Sequence, residues 1–554
     1  MIERTGNRAT PLPLLGALLA LLFCGGLLVY GSGRGIDLTD EIFYLVWARD
    51  PEAYALLYQP FGYLLHPLYA LLDGDVQRYR LAGFAITLAA GALLGSQLAA
   101  AREERLRLAL FGAAASLVVY FPWIITPSYN SIANVGAMLV LAGLAILLRT
   151  DRRRAAGAAC IVLAVGLCAA AFAKPPLFAL ACVLLILLSA AALRHHRKRS
   201  ADLVVALALT PLLIHLFLPL HAIPALFQRI ATSQHVLALP NTPTHLPIKV
   251  LGDWAAVPPL LTGAALLVAT ATVLAWRRTR WSAGAGHCGI ALALAYLAST
   301  VPETLDGSIP EFTGLALVLI ATGYASLVAR RDLLLIGLLL AAPFAVALGT
   351  FNNQWAQLDF SMVFPLLALF RLAGEDARRW RQAAAYVLSI AAPPLLLLAA
   401  AQSPYSLPDS VFAQQIPATH PITGSRLLVD AETADFLNGA RGKAPGALLV
   451  DLSGTGPGVA AALGARVPVL LWLNPATATW PDVVWDRLSE PERARAWFVV
   501  PVLPLFAPSG PARWLAAHRG AYCAMPLPRM LFWWEERALM VLRPCAAPAS
   551  GAGR

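Results

Sequence analysis

The sequence predicts a polytopic α-helical membrane protein with about thirteen transmembrane helices and a C-terminal soluble α/β domain on the outer face. Three observations predict this fold class. First, the 554 residues are 58% hydrophobic and only 13% charged, whereas a soluble protein carries about a quarter charged residues. Second, the apolar residues form long runs separated by short arginine-rich clusters. Third, the long runs end near residue 402, and charged residues mix with short apolar stretches beyond it.

The composition also excludes other classes of protein. A disordered chain needs low hydrophobicity, and a soluble globular chain needs more charge. The net charge of +11 would elsewhere suggest a nucleic-acid binder. Here the basic residues stand between apolar runs, so we expect a lipid bilayer as the surroundings and no nucleic-acid partner.

The predicted helices are the apolar runs bounded by charge or proline. The first run follows Arg4 and Arg8 and has no convincing small-residue cleavage site, so it is interpreted as a retained helix. The thirteen runs cover residues 11–30, 81–100, 108–126, 131–148, 155–173, 177–193, 202–220, 257–275, 284–301, 312–329, 333–349, 360–373 and 384–401.

The basic residues predict the orientation, because cytoplasmic loops carry an excess of Lys and Arg. With a cytoplasmic N-terminus, the inside segments hold 22 basic residues and the outside loops before residue 402 hold seven. An odd number of helices then places the C-terminal end outside. We therefore expect a multi-pass protein of a bacterial inner membrane with its C-terminal domain in the periplasm.

Two domains are predicted, a membrane domain over residues 1–401 and a periplasmic α/β domain over 402–554, with a proline-rich linker at 401–421. Cys523 and Cys545 lie in the outer domain, where a disulfide is permitted but the spacing leaves it open. The β-like runs are 447–450, 467–473, 498–501 and 538–542, and the helix-like stretches are 431–439 and 494–497.

The longest outer loop, residues 31–79, carries Asp37, Asp40 and Glu41 just after the first helix. If Asp40 opens a short helix, Asp40 with Tyr44 and Asp37 with Glu41 share faces at i, i+4 spacing. A carboxylate held there suits a general base or a metal ligand. The alternative is that Thr39 or Asp40 only caps the helix and the acids are solvated.

A second stretch of the same loop, Tyr58 to Tyr69, is aromatic, amphipathic and interrupted by proline, and it includes His66. This pattern is typical of a helix that lies at the membrane interface.

These residues together resemble a known family. Asp40-Glu41-Ile42-Phe43-Tyr44, His66-Pro67-Leu68-Tyr69 and Arg78-Tyr79-Arg80-Leu81 resemble the first outer loop of the GT-C glycosyltransferases, in the branch of the protein O-mannosyltransferases and lipid A aminoarabinose transferases. The resemblance implies a GT-C-like fold and a polyprenyl-phosphate sugar donor. It implies that Asp40 is the catalytic carboxylate, with Glu41 beside it and Asp37 as a further candidate.

The resemblance also implies residues that bind the donor. Arg80 matches the arginine that enters the second helix, and Lys174 in Ala173-Lys174-Pro175-Pro176 resembles a Lys-Gly-Pro turn of the family. For Lys174 the alternative is snorkelling to the membrane interface. Tyr58, His66 and Tyr129 are further substrate-binding candidates.

Asn130 stands in the outer loop where many members of that family carry a second carboxylate. An amide binds a sugar hydroxyl but takes no proton, which disfavours a two-acid mechanism or a carboxylate-bound metal. Asn352 and Asn353, in a polar-aromatic cluster at residues 349–355, are predicted to bind sugar or phosphate, with a plain turn as the alternative. No cofactor is predicted, and no pattern indicates a divalent metal.

Gly454-Thr455-Gly456-Pro457-Gly458 follows a strand-like run that ends at Asp451. It is similar to a dinucleotide-binding loop but lacks the full spacing, so it predicts a strand-to-helix turn.

The expected function is that of an inverting membrane glycosyltransferase of the cell envelope, with a lipid, glycan or protein acceptor. Asp40 would be the general base, while Arg80 and Lys174 would stabilise the departing polyprenyl phosphate. The alternative is a secondary transporter or a flippase for lipid-linked saccharides. That alternative is disfavoured because the helices hold almost no ionisable residues and no repeat is evident between the halves.

Overall fold

The computed structural model describes residues 11–52, 59–149, 152–193, 197–236, 246–276, 281–302, 311–328, 332–349, 352–467, 482, 485–502, 509–532 and 535–545. It is mostly helical, with a small C-terminal sheet domain. The chain divides into two compact units. The first comprises Met1–Tyr30, Arg80–Ala222 and Pro240–Ala400, and the second comprises Gly31–Tyr79, Ile223–Leu239 and Ala401–Arg554.

The helices begin and end at the following residues. In the first 300 residues they are α1 Pro11–Gly31, α2 Asp40–Arg49, α3 Phe61–Leu71, α4 Val76–Leu98, α5 Glu104–Ser116, α6 Tyr129–Arg149, α7 Arg153–Ala173, α8 Pro175–Leu193, α9 Arg197–Phe217, α10 Ile223–Val236, α11 Leu246–Trp254, α12 Pro259–Trp276 and α13 Trp281–Ser299. Beyond them lie α14 Thr313–Val328, α15 Leu333–Ala347, α16 Val363–Ala373, α17 Arg379–Gln402, α18 Ala431–Ala440, α19 Pro457–Leu463, α20 Glu490–Arg495 and α21 Gly510–Ala517.

Each of the thirteen apolar runs contains a helix, from α1 to α17 with α2, α3, α10 and α11 left aside. Within the described ranges, seven helices are long and apolar enough to span a membrane, namely α1, α4, α6, α7, α9, α13 and α17. The count becomes eight if α11 and α12, bent by 117° at their junction, form one broken span. The helices α8, α14, α15 and α16 are apolar but shorter. The protein is thus a helical protein with the composition of a membrane protein.

Glycines allow close helix crossings in the first unit. A Cβ atom at Gly91 would overlap the carbonyl oxygen of Gly112, and one at Gly95 would overlap that of Leu108, so α4 and α5 touch backbone to backbone. Gly136 and Gly166 make a similar approach between α6 and α7. Small residues at such positions are the usual way for membrane helices to pack closely.

Ion pairs around Asp332 join helix ends in the first unit. Asp332, just before α15, lies 2.6 Å from Arg149 of α6 and 3.8 Å from Arg371 of α16. Arg371 also pairs with Glu375 at 2.8 Å. These residues belong to the loops that the charge count assigns to the cytoplasmic face.

The second unit combines Gly31–Tyr79 and Ile223–Leu239 with the C-terminal part of the chain. Its strands are β1 Ile416–Thr419, β2 Arg426–Val429, β3 Leu449–Asp451, β4 Trp497–Pro501, β5 Tyr522–Pro526, β6 Met530–Phe532, β7 Glu535–Arg537 and β8 Leu539–Pro544. The strands β1 and β2 form an antiparallel hairpin. Residues 33–35 pair alongside β2, because the Gly35 amide donates to the Leu428 carbonyl at 2.8 Å and the Leu428 amide donates to Gly33 at 2.9 Å.

The main sheet of this unit has the order β3-β4-β8-β5, with β3 and β4 parallel and the other neighbours antiparallel. Its core packs Phe498 against Trp485 and Tyr522. Cys523 and Cys545 form a disulfide at the edge of the sheet.

The predicted strands at 447–450, 498–501 and 538–542 correspond to β3, β4 and β8, and the predicted helix at 431–439 corresponds to α18. The run 467–473 lies outside the described residues after Val467. The helix predicted at 494–497 is confirmed only for its first two residues, because α20 ends at Arg495 and β4 begins at Trp497, where aromatic and β-branched residues favour a strand. The linker predicted at 401–421 includes β1.

Candidate active site

In the second unit, Asp37 and Glu41 together cap the start of α2. The Asp37 carboxylate accepts hydrogen bonds from the Thr39 amide at 2.7 Å, the Thr39 hydroxyl at 2.6 Å and the Glu41 amide at 3.1 Å. Glu41 reaches back and accepts from the Asp37 amide at 3.2 Å. Reciprocal bonds of this kind provide acceptors for backbone amides at the start of a helix, which have no acceptor within the helix itself. Thr39 occupies the N-cap position, as the capping alternative expects, but its side chain makes no capping bond. The expectation of solvated acids is wrong for Asp37 and Glu41, because both are buried.

Asp40 makes a different set of contacts. It is the first residue of α2 and remains partly exposed. The Tyr44 hydroxyl donates to Asp40 Oδ1 at 3.2 Å, in the i, i+4 geometry expected from the spacing. The Tyr405 hydroxyl, from the chain just after α17, also bonds to the Asp40 carboxylate. Asp40 therefore differs from Asp37 and Glu41. Its carboxylate is bound by tyrosine hydroxyls and takes no part in the bonds that cap α2.

The environment makes these carboxyls unusually basic. Burial raises the pKa of Asp37, and the charge of Asp40 raises it further. Burial also raises the pKa of Asp40, while the hydrogen bonds from Tyr405 and Tyr44 oppose that rise. A carboxyl with a raised pKa is a better proton acceptor near neutral pH than an ordinary aspartate.

The aromatic stretch after α2 packs against that helix. His66 Nδ1 of α3 lies 3.0 Å from the Ala48 carbonyl oxygen of α2. Gly62 approaches so closely that a Cβ atom there would overlap the Trp47 carbonyl oxygen. His66 itself is exposed, and Tyr58 lies outside the described residues.

The first unit holds a separate group of buried cations. Arg80, near the start of α4, is 2% exposed, and its Nε donates to the Thr126 hydroxyl at 3.3 Å. Lys174, in the turn between α7 and α8, is 1% exposed, which rules out simple snorkelling. Its Nζ donates to the Val346 carbonyl at 2.7 Å and lies 5.5 Å from the centre of the Tyr129 ring.

One loop joins these two cations. Thr126 contacts Arg80 and Tyr129 contacts Lys174, so both cations border the segment 126–130. Asn130, in the same segment, is 4% exposed, and its Oδ1 has no hydrogen-bond partner among the described residues. Among the described residues no carboxylate forms an ion pair with Lys174. A buried ammonium without a counter-ion is costly, so this arrangement favours an anionic ligand.

Asn352 and Asn353 lie elsewhere in the first unit, tied to α11. The Lys249 ammonium donates to the Asn352 carbonyl at 2.8 Å, and the Asn353 amide donates to the Asp253 carbonyl at 3.1 Å. Asn353 Oδ1 accepts from the Trp355 amide at 2.9 Å, as in a polar turn. The sequence alone missed Lys249 and Asp253, although their i, i+4 spacing on an amphipathic helix would have indicated an ion pair.

Three further neighbours of the acidic group were also missed. Tyr405, Ser406 and Gly458 contact residues 38–40 across more than 360 positions of sequence, and no local pattern predicts such contacts. In the described part of the chain no three His, Cys, Asp or Glu side chains are grouped so as to hold a metal ion.

No protein-family model matches the chain, and no curated protein matches it significantly.

Proposed function

We propose that the chain is a membrane glycosyltransferase that moves a sugar from a polyprenyl-phosphate donor to an acceptor at the outer face of the membrane. The observation that carries the proposal is Lys174, an ammonium that is almost fully buried, without a carboxylate partner among the described residues, beside the loop that also contacts Arg80. A phosphate diester supplies the missing negative charge, and arginine binds phosphate oxygens with directed hydrogen bonds.

The proposal assigns proton removal to Asp40. Its carboxylate takes the proton of an acceptor hydroxyl or amine as that atom attacks the anomeric carbon. The bond between the anomeric carbon and the phosphate oxygen breaks, and its electron pair leaves with the polyprenyl phosphate. Asp40 suits this role because Asp37 and Glu41 are engaged in capping α2, whereas Asp40 is partly exposed.

Arg80 and Lys174 are assigned to the leaving group in this reaction. Negative charge grows on the bridging phosphate oxygen as the bond breaks, and fixed cations stabilise that charge more in the transition state than in the ground state. Their burial matters because charge interactions are stronger where water is excluded.

The proposal includes a full topology of thirteen crossings, with the N-terminus inside and a GT-C-like arrangement. It is supported by a helix in each of the thirteen apolar runs and by the excess of basic residues on alternate loops.

The direct test uses the full-length protein in lipid nanodiscs with a set of polyprenyl-phosphate sugars. Release of free polyprenyl phosphate, measured by mass spectrometry, supports the proposal. In proteoliposomes, transfer of the intact donor between leaflets without cleavage would instead identify a carrier.

A further inference from the structure

Residues 37–40, the acidic turn at the start of α2, are held in part by the C-terminal segment of the second unit. The Gly458 amide donates to the Leu38 carbonyl at 2.8 Å. The Tyr405 hydroxyl bonds to the Asp40 carboxylate, and the Ser406 hydroxyl lies 3.4 Å from that of Thr39. Asp40 and the two residues before it are thus held by groups that come from beyond residue 400.

The contact at Gly458 requires glycine. A Cβ atom there would overlap both the carbonyl oxygen and the side chain of Leu38. Gly456 has φ +109°, a value that disfavours other residues, and a Cβ atom on it would lie 3.3 Å from the Thr39 Cα. The loop 454–458 therefore lies directly against the backbone that carries Asp40.

A buried carboxylate fixes the shape of this loop. Asp451, at the end of β3, accepts from the Ser453 amide at 2.8 Å and from the amides of Gly454 and Gly456. Several backbone donors on one carboxylate make a tight, pre-formed turn. The sequence predicted a strand-to-helix turn here, and the structure confirms it between β3 and α19.

We propose that the C-terminal domain contributes to the active site. Tyr405 and the residues of the loop 454–458 are positioning residues that hold the Asp40 carboxylate in the orientation needed for proton removal. The effect that this proposal predicts on turnover rests on the proposed glycosyltransferase function. The effect that it predicts on the pKa of Asp40 does not.

The titratable groups described as interacting with Asp40 are Asp37, Tyr44 and Tyr405, and Glu41 acts on Asp37. The Asp37 and Asp40 carboxyls disfavour two negative charges side by side, while the two tyrosine hydroxyls donate to the ionised form of Asp40. Removing the Tyr405 hydroxyl therefore raises the pKa of Asp40, because the ionised carboxylate loses a donor.

The first experiment measures the carboxyl without any substrate. Infrared titration of the full-length protein identifies the Asp40 band as the one lost in Asp40→Asn. In Tyr405→Phe this band should titrate at a higher pH than in the native protein. Tyr522→Phe is the matched control, because its hydroxyl lies in the same domain but away from the acidic turn. An Asp40 titration unchanged by Tyr405→Phe would overturn the proposal.

The second experiment measures turnover. Gly458→Ala should lower kcat by about 10²-fold with little change in the donor KM, since small displacements of a reacting group have effects of that size. Gly520→Ala is the control, because no atom of the described residues lies within 4 Å of the added carbon. Equal kcat in the two variants contradicts positioning by the loop. If Gly458→Ala fails to fold, the Tyr405→Phe titration decides.

The two proposals fail in different ways. A native protein that consumes no donor ends the glycosyltransferase proposal, while the infrared titration still tests whether Tyr405 controls Asp40.

Discussion

Asp40 differs from its acidic neighbours in the partners of its carboxylate. Asp37 and Glu41 bond to backbone amides and complete the start of α2, whereas Asp40 bonds to the hydroxyls of Tyr44 and Tyr405. Backbone capping is a structural task, and a hydroxyl-bound carboxylate remains able to exchange a proton. Composition alone does not separate three carboxylates within five positions, and their hydrogen bonds do.

Asp40→Asn should therefore reduce turnover by about 10²–10⁴-fold, the usual contribution of a general base, with little effect on folding. The measurement is the initial rate of polyprenyl-phosphate release. Asp37→Asn is the matched control, because it removes one oxygen acceptor from the cap and should cost about 1 kcal/mol of stability but little turnover. Glu41→Gln should behave in the same way. If Asp40→Asn leaves turnover unchanged, Glu41 becomes the next candidate for the general base.

The pH dependence follows from the same carboxyl. Burial raises the pKa of Asp40 above the ordinary aspartate range, and a base works only when ionised. As the pH falls, activity should disappear at a higher pH than it would with an ordinary aspartate. The measurement is kcat/KM across pH in native protein, with thermal unfolding at each pH to exclude denaturation. An acidic limb at or below pH about 4 would contradict the assignment.

Lys174→Met tests the buried cation. Methionine has a similar length and no charge, so the change removes the cost of burying an ammonium that has no carboxylate partner among the described residues. We expect the variant to unfold at no lower temperature than the native protein, yet to show a higher donor KM. Lys249→Met is the comparison, because Lys249 has an acidic partner in Asp253 and its loss should lower stability. A strongly destabilised Lys174→Met would indicate a structural role.

At the scale of elements, the apolar runs predicted the helices well because hydrophobic length and flanking charge are local properties. The second unit was harder to predict. Residues 33–35 pair beside β2, and the 454–458 loop lies on Leu38, across roughly 400 positions of sequence. Local periodicity contains no information about such pairing. For the same reason the sequence indicated Asp40 and Tyr44 but gave no sign of Tyr405.

The crossing of α4 and α5 gives a prediction at this scale. Gly91 and Gly95 lie four residues apart and face the backbone of α5 without room for a side chain. Gly95→Leu should separate the helices and destabilise the protein by about 1–3 kcal/mol, as overpacking does. Thermal unfolding in detergent is the measurement. Gly26→Leu in α1 should be nearly neutral, because the added Cβ lies within 4 Å of no atom in the described part of the chain.

At the scale of the whole molecule, the proposed function requires the acidic turn to face the outside. The proposed topology takes an inside N-terminus from the 22-to-7 distribution of basic residues, and its thirteen crossings would carry residue 402 to the outer face. Seven described helices satisfy the requirements for a span on their own, so the parity of the crossings depends on the shorter apolar helices.

A reporter that is active only outside the cytoplasm, fused after Gln402 at the end of α17, tests this parity. We expect activity there and none for a fusion in the loop after Arg149, which the charge count places inside. Because α17 separates residue 378 from residue 402, a fusion at residue 378 should also be inactive. Reporter activity at residue 378 and none after residue 402 would mean that α17 crosses the membrane in the opposite direction. It would place Tyr405 on the cytoplasmic side, and with it Asp40, because the two side chains are hydrogen-bonded. A polyprenyl-phosphate donor used at the outer face could not then reach the proposed base.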